Sequence, residues 1–434
     1  MRRARLGALK FPLAILTVWI AVLAVRLMPI GGAWMDLSPS TWINYLVWTL
    51  TYFPMLLLGI SQPIGKPNAR NWDCAGRQWK NGWVSGLSVI STIGAALIVY
   101  EFAVTRGYAF STPIAVIRQM EVESASAGFA GSWISGAGRM LTPGLMIAWV
   151  LTIIGWSEIC KRTLVVLSVA TGVVFYQQVM FEGGRFYLAA LFLMAFIARV
   201  FIARRNDKGR FWAVKRIFWL VTWAIICWFF GYVFIERYEQ VDLAFVKAYV
   251  IWAANFDLEV DDEVLDRLSG DGSSVWLAVS MLWAYVTQGA NELNALLTAS
   301  QPDLALGSFQ FPQLAQVLSK LTGFEFKYDQ VLNLPKTGTY NTLYGASYID
   351  FGHVGALIFI GCMAWLTGRS IRLLHSGHLN GLAINAPLLI TIGVFSPIVS
   401  LVINLWPAFC WAFLVGSTAR RRTAFRPVLK PTIN

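Results

Sequence analysis

The sequence predicts an all-α fold: a polytopic membrane protein of about ten transmembrane helices that carries a helical external subdomain. Of the 434 residues 57% are apolar and only 13% are charged, where soluble domains carry about 25% charged residues. Apolar windows of about twenty residues, enough to cross a bilayer, recur along the chain. The basic residues sit in short clusters between these windows, as topogenic charges do, instead of lining one face. The net charge of +12 therefore does not point to nucleic acid as a partner.

In order, the windows cover residues 9–30, 41–60, 83–103, 141–158, 163–181, 186–203, 217–235, 353–371, 382–399 and 402–418. The first follows the basic start MRRAR, as in a signal peptide. Its apolar run continues to Ile30 with no small-residue cleavage site, so it reads as a retained span. The windows at 163–181 and 186–203 are joined only by FEGGR. The last two come from one apolar run too long for a single crossing, and Ser396-Pro397 offers the break.

Counting Lys and Arg orients the frame, because positive loops stay in the cytoplasm. With the N-terminus inside, the cytoplasmic segments hold 24 basic and three acidic residues, and the opposite side holds 11 basic and 20 acidic ones. Both termini are then cytoplasmic. The five cysteines (Cys74, Cys160, Cys227, Cys362, Cys410) fall in spans or cytoplasmic loops, which excludes an external disulfide framework.

Three divisions follow: a membrane domain over 1–236, a large external loop subdomain over 237–352, and a second membrane part over 353–434 with a basic tail. Within the external subdomain VDLAFVKAYVIWAANF, VDDEVLDRL, SSVWLAVSMLWAYVTQGANELNALLT and FPQLAQVLSKLTGF show helical periodicity. The Trp276–Thr287 stretch is apolar but short for a span and reads as interfacial. The first external loop, 104–140, reads as loop with one interfacial helix over Pro113–Val122.

Candidate chemistry lies where charges stand at the membrane edge, since a charge at that depth needs a partner or a task. Arg185 follows two glycines at an outer turn, where a guanidinium can fork onto phosphate; it can equally snorkel or pair with Glu182. Arg237 opens the external subdomain beside Glu236 and Glu239. Arg118, Arg139 and Lys336 are further external cations. Tyr340, Asn341 and Tyr344 supply a hydroxyl, an amide and ring faces suited to sugars. Asp350 can serve as base for an acceptor hydroxyl or as a helix N-cap, and His353 as base, as donor to a leaving phosphate, or as a backbone-satisfied interfacial residue. His375 and His378 lack a nearby carboxylate in their short cytoplasmic loop, so no metal site is expected. No Gly-rich phosphate loop, GxSxG or His-Glu zinc motif is present. No cofactor is expected, and the driving force must come with an activated substrate or a gradient.

The outer-turn EGGRFYL, the large loop before a late span, and YNTLYGASYIDFGHVGALIFIGCMAWLTG together resemble the bacterial O-antigen polymerases, the oligosaccharide repeat-unit polymerases. The last stretch looks like that family's loop-to-span signature, an Asn-Thr segment followed by Tyr-x-Asp-Phe-Gly-x-x-Gly. The resemblance implies a GT-C-like frame in the bacterial inner membrane and a metal-independent, inverting glycosyl transfer at its outer face. It implies undecaprenyl-diphosphate-linked oligosaccharide as substrate, membrane lipids as surroundings and a chain-length-regulating membrane protein as partner. It also places Arg185 and Arg237 on the diphosphate. The related O-antigen ligases use a similar frame with a catalytic histidine in the large loop, a role open to His353. A transporter or flippase is the rival from another class, expected to show midplane charges that these windows lack.

Overall fold

The computed structural model describes residues 8–64, 77–108, 132–155, 158–178, 181, 185–203, 245–254, 258–270, 272–299, 304–324, 341–378 and 380–424. The described chain is all-α apart from one two-stranded ladder. Helix α1 covers Lys10–Arg26 and α2 Pro39–Ser61. Helix α3, Arg77–Tyr100, runs on into a π-turn over Glu101–Thr105. Then come α4 (Trp133–Leu141), α5 (Gly144–Ile154), α6 (Lys161–Gln177) and α7 (Arg185–Ala203). The large loop region contributes α8 (Phe245–Ala254), α9 (Asp262–Ser269), α10 (Ser273–Thr287), α11 (Gly289–Thr298) and α12 (Pro312–Thr322). Helix α13 spans Leu343–His375, followed by α14 (Gly381–Ile384), α15 (Ala386–Phe395) and α16 (Val402–Ala424).

Among the described residues, four helical stretches are long and apolar enough to cross a membrane: Pro39–Ser61, Gln78–Thr105, Trp133–Ile154 and Leu343–His375. Shorter apolar helices occupy Tyr187–Val200, Ser273–Thr287, Ala386–Phe395 and Val402–Thr418. The window at 217–235 and the helix expected over 113–122 lie outside the described residues. Helix α4 starts well before the window at 141–158, because Ser132 caps it by accepting from the Ser135 amide. The long apolar run near the C-terminus breaks between Ser396 and Leu401, at the Ser-Pro pair.

In lipid, helices gain little from hiding apolar surface, so close backbone approach and interhelical hydrogen bonds decide the packing. The α2–α13 pair shows this. A Cβ at Gly59 would meet the Trp365 carbonyl, and one at Gly368 would run into the Leu56 carbonyl. The buried stripe of α2 is aromatic, with Tyr45, Trp48 and Tyr52, while Ile43, Leu46 and Leu50 point outward. Trp19 of α1 closes that stripe, with its ring 4.9 Å from Trp48 and its indole N–H donating to the Gly393 carbonyl at 2.8 Å.

The ladder pairs Ala33 and Trp34, after α1, with Glu259 and Leu258, after α8. It ties the first interhelical loop to the large loop region. Trp34 also donates to Thr287 (2.8 Å) and stacks on Trp283, whose own indole N–H reaches the Val25 carbonyl. Arg26 is buried at the end of α1, with its guanidinium donating to the Met35 carbonyl and to Asn291 Oδ1, both at 2.7 Å. The Ser38 amide and the Thr41 hydroxyl both donate to Asn294 Oδ1. At the opposite end, Lys80 pairs with Glu158 at 2.5 Å, and Arg369 donates to the Gln62 and Pro63 carbonyls.

One apolar core runs through α1, α2, α5, α13 and α16 and takes in Ala290, Leu293 and Leu296 of α11. A second, around Tyr249, Val264, Leu268, Leu277 and Met281, includes Trp34. The large loop region is thus seated on the helical frame through α11 and α10.

Candidate functional site

The approach to α13 is pinned from three sides. The Ser400 amide donates to the Asn341 carbonyl at 2.7 Å, and the Leu343 amide to the Ser396 carbonyl at 2.9 Å. The Thr342 hydroxyl caps the helix by accepting from the Gly345 amide at 3.0 Å. Gly289 lets α11 press against the same turn, since a Cβ there would stand 2.6 Å from the Ile398 carbonyl oxygen. Residues 341–350 are all buried in consequence.

Helix α13 then bends at Gly352, whose φ of 67° and ψ of −173° belong to a backbone region essentially reserved for glycine. The bend frees the carbonyls of Ile349 and Asp350, which accept from Ala305 N (3.0 Å) and Leu306 N (2.9 Å). Asp350 completes this joint. Its Oδ1 accepts from the Phe309 amide at 2.9 Å and its Oδ2 from the Gln310 amide at 3.0 Å. The Gln310 side chain donates to Ser347 (3.2 Å) and accepts from Ser400 (3.4 Å). Asp350 has no exposed surface. Its carboxylate closes the first arm of α13 onto the turn at Leu306 and Gly307, both with positive φ. It stands at the end of that arm, not at a helix N-terminus, and it has no opening toward an acceptor hydroxyl.

Across the bend, His353 comes back against the first arm. Its Nδ1 lies 3.0 Å from the Tyr344 hydroxyl and its ring 4.6 Å from that of Tyr348. Nine residues of unbroken helix would separate these positions by about 13 Å of rise, so the contact exists because Gly352 turns the chain. The Tyr344 hydroxyl donates to Asn44 Oδ1 at 2.7 Å, and Asn44 Nδ2 donates to the Ser40 carbonyl at 2.8 Å. Tyr344 is buried under Trp48 and lies parallel to Tyr348, at 5.9 and 6.5 Å between ring centroids. His353 itself is exposed, beside Val354 at 72% exposure. Its second ring nitrogen, Nε2, is the one that Tyr344 does not hold.

Of the ten residues singled out in the sequence, the structure brings Asn341, Tyr344, Asp350 and His353 together on one bent segment. Tyr344, expected on sugar, is buried and turned to Asn44 and His353. Arg139 stands exposed in the last turn of α4, which packs on α3 and α16. Arg185 is the first residue of α7; its side chain, together with Arg118, Arg237, Lys336 and Tyr340, lies outside the described residues. Asn44 and Gln310 were missed. An amide inside an apolar window was the available signal for Asn44, since a polar side chain in a span needs a partner. A further polar cluster sits at the π-turn, where buried Glu101 accepts from Ser132 (2.5 Å) beside Arg106. No group of His, Cys, Asp and Glu that could hold a metal is found among the described residues.

No protein-family model, no curated protein and no solved structure matches this chain.

Proposed function

We propose that this chain is a membrane glycosyltransferase that polymerises undecaprenyl-diphosphate-linked oligosaccharide repeat units into a surface polysaccharide, as the O-antigen polymerases it resembles do. The observation that carries the reading is His353, an exposed imidazole on a bend of a membrane-length helix, held by buried Tyr344, which in turn bonds half-buried Asn44. An exposed base beside apolar, outward-facing residues suits a substrate that arrives through the lipid. The reading includes ten spans in a GT-C-like frame of the bacterial inner membrane, both termini cytoplasmic, and 237–352 outside. The interlocking of the Trp34 loop with α10 and α11 supports a shared side for these segments.

The chemistry needs no cofactor. An acceptor hydroxyl gives its proton to His353 as its oxygen attacks the anomeric carbon of the donor sugar. The bond from that carbon to the diphosphate oxygen breaks, and the electron pair leaves with the lipid diphosphate. Arg185 and Arg237 take up the leaving charge as fixed guanidinium clamps. Arg118, Arg139, Lys336 and Tyr340 contact the saccharide and phosphates, while buried Asn341 and Asp350 hold the joint beneath the base. The large loop has 14 acidic and six basic residues between Arg237 and Gly355, so its body repels diphosphate and the clamp belongs at its edges.

Deleting the protein and displaying surface polysaccharide on a gel tests this against its rivals. Loss of the ladder with a single repeat unit retained marks a polymerase. Free lipid-linked polymer marks a ligase, the reading that an exposed histidine also favours, and cytoplasmic accumulation of the lipid-linked unit marks a flippase. Arg185→Ala is expected to leave the protein in the membrane and abolish the ladder; wild-type polymer in that variant rejects the clamp.

A further inference from the structure

We infer that Asn44 and Tyr344 are positioning residues that fix the tautomer of His353, leaving the lone pair on Nε2, the ring nitrogen that Tyr344 does not hold. The argument follows single protons. The Ser40 carbonyl can only accept, so the amide nitrogen of Asn44 must face it at 2.8 Å, and Oδ1 is thereby turned to Tyr344. A tyrosine has one hydroxyl proton, and it lies in the 2.7 Å bond to Asn44 Oδ1. The 3.0 Å contact between that hydroxyl oxygen and His353 Nδ1 therefore needs its proton from the ring. Nδ1 carries the hydrogen, and in the neutral imidazole Nε2 is the acceptor.

The packing holds this order in place. Asn44 rides on α2 next to buried Tyr45 and Trp48, Tyr344 has almost no exposed surface, and the Gly352 bend presses His353 onto Tyr348 at 4.6 Å. Helix α2 and the two arms of α13 thus converge on one proton assignment. Its catalytic meaning rests on the function proposed above: an Nε2 lone pair can accept the proton of an attacking hydroxyl, and an Nε2–H cannot. The tautomer itself is independent of that function.

The test is nitrogen NMR of protein labelled at the histidine rings and held in lipid nanodiscs, at a pH where the imidazole is neutral. The chain has three histidines, and loss of one signal in His353→Gln assigns the ring. The wild type is expected to show protonated Nδ1 and unprotonated Nε2. Asn44→Leu removes the acceptor of the tyrosine proton, so the hydroxyl turns to Nδ1 and the ring proton moves to Nε2. Asn44→Asp still accepts from the hydroxyl and keeps the wild-type signal. A wild-type ring with Nε2–H, or an Asn44→Leu spectrum identical to wild type, overturns the inference. In cells, Asn44→Leu is expected to slow chain extension about a hundredfold, the scale of a lost general base, with Asn44→Asp restoring it. If the NMR result holds while His353→Gln still makes a full ladder, the tautomer assignment stands and the glycosyl-transfer role of His353 falls.

Discussion

The two ionisable residues of the bent segment have opposite settings and should fail in opposite ways. Asp350 is sealed, with backbone amides of Phe309 and Gln310 on its two oxygens, whereas His353 is exposed. Asp350→Asn weakens two charge-assisted bonds and offers an amide where a donor was already facing, at a cost of about 1–3 kcal/mol. His353→Gln removes one contact to the Tyr344 hydroxyl, which keeps its bond to Asn44, and should cost at most about 1 kcal/mol. Thermal unfolding in detergent should therefore separate them, with the larger drop in midpoint for Asp350→Asn and the smaller one for His353→Gln. Polymer formation should be lost in His353→Gln. A midpoint drop confined to the histidine variant would reverse the two roles.

At the scale of helices, α2 and α13 are held by absent side chains. Gly59 and Gly368 let the two backbones touch near Leu56 and Trp365, and α13 carries both His353 and the joint at Asp350. Gly368→Val has no room to relax, since the atom it meets is backbone. We expect it to lower the unfolding midpoint in detergent and speed proteolysis, at a cost of about 1–3 kcal/mol from overpacking. Gly82, which faces open space, serves as the control: Gly82→Ala should leave both unchanged. The sequence showed glycines in the window at 353–371 but not which of them face another backbone. Helix periodicity was legible in the large loop region, where α8 to α12 occupy the segments that carried it, though not how each would be covered: α11 buries Gly289 to Leu293 in succession, whereas α12 buries only Ala315.

Across the whole molecule, the contacts sort by end. Trp34, Ser38 and Arg26 join α10 and α11 at one end, and Lys80, Glu158, Gln62 and Arg369 join at the other. With the proposed orientation, a cysteine placed at Glu263 should react with a membrane-impermeant maleimide in intact cells once the outer membrane is permeabilised. One placed at Arg421 should react only after the inner membrane is opened. Labelling of Arg421→Cys in sealed cells would invert the map.

What the sequence determined by itself was the class of the molecule. Apolar windows and clustered positive charge suffice for a helical membrane protein, because a bilayer permits few ways to satisfy a spanning backbone. The stretch from Asn341 to His353 also stood out in the sequence, since polar side chains crowd the start of an apolar window there. Only the tertiary structure decided the division of labour within it. Which carboxylate is sealed, which ring is exposed and which amide from α2 orders the protons depend on a bend at Gly352 and a contact between residues 300 positions apart. Periodicity is a local property of a chain, whereas a hydrogen bond between Asn44 and Tyr344 exists only once two helices have packed.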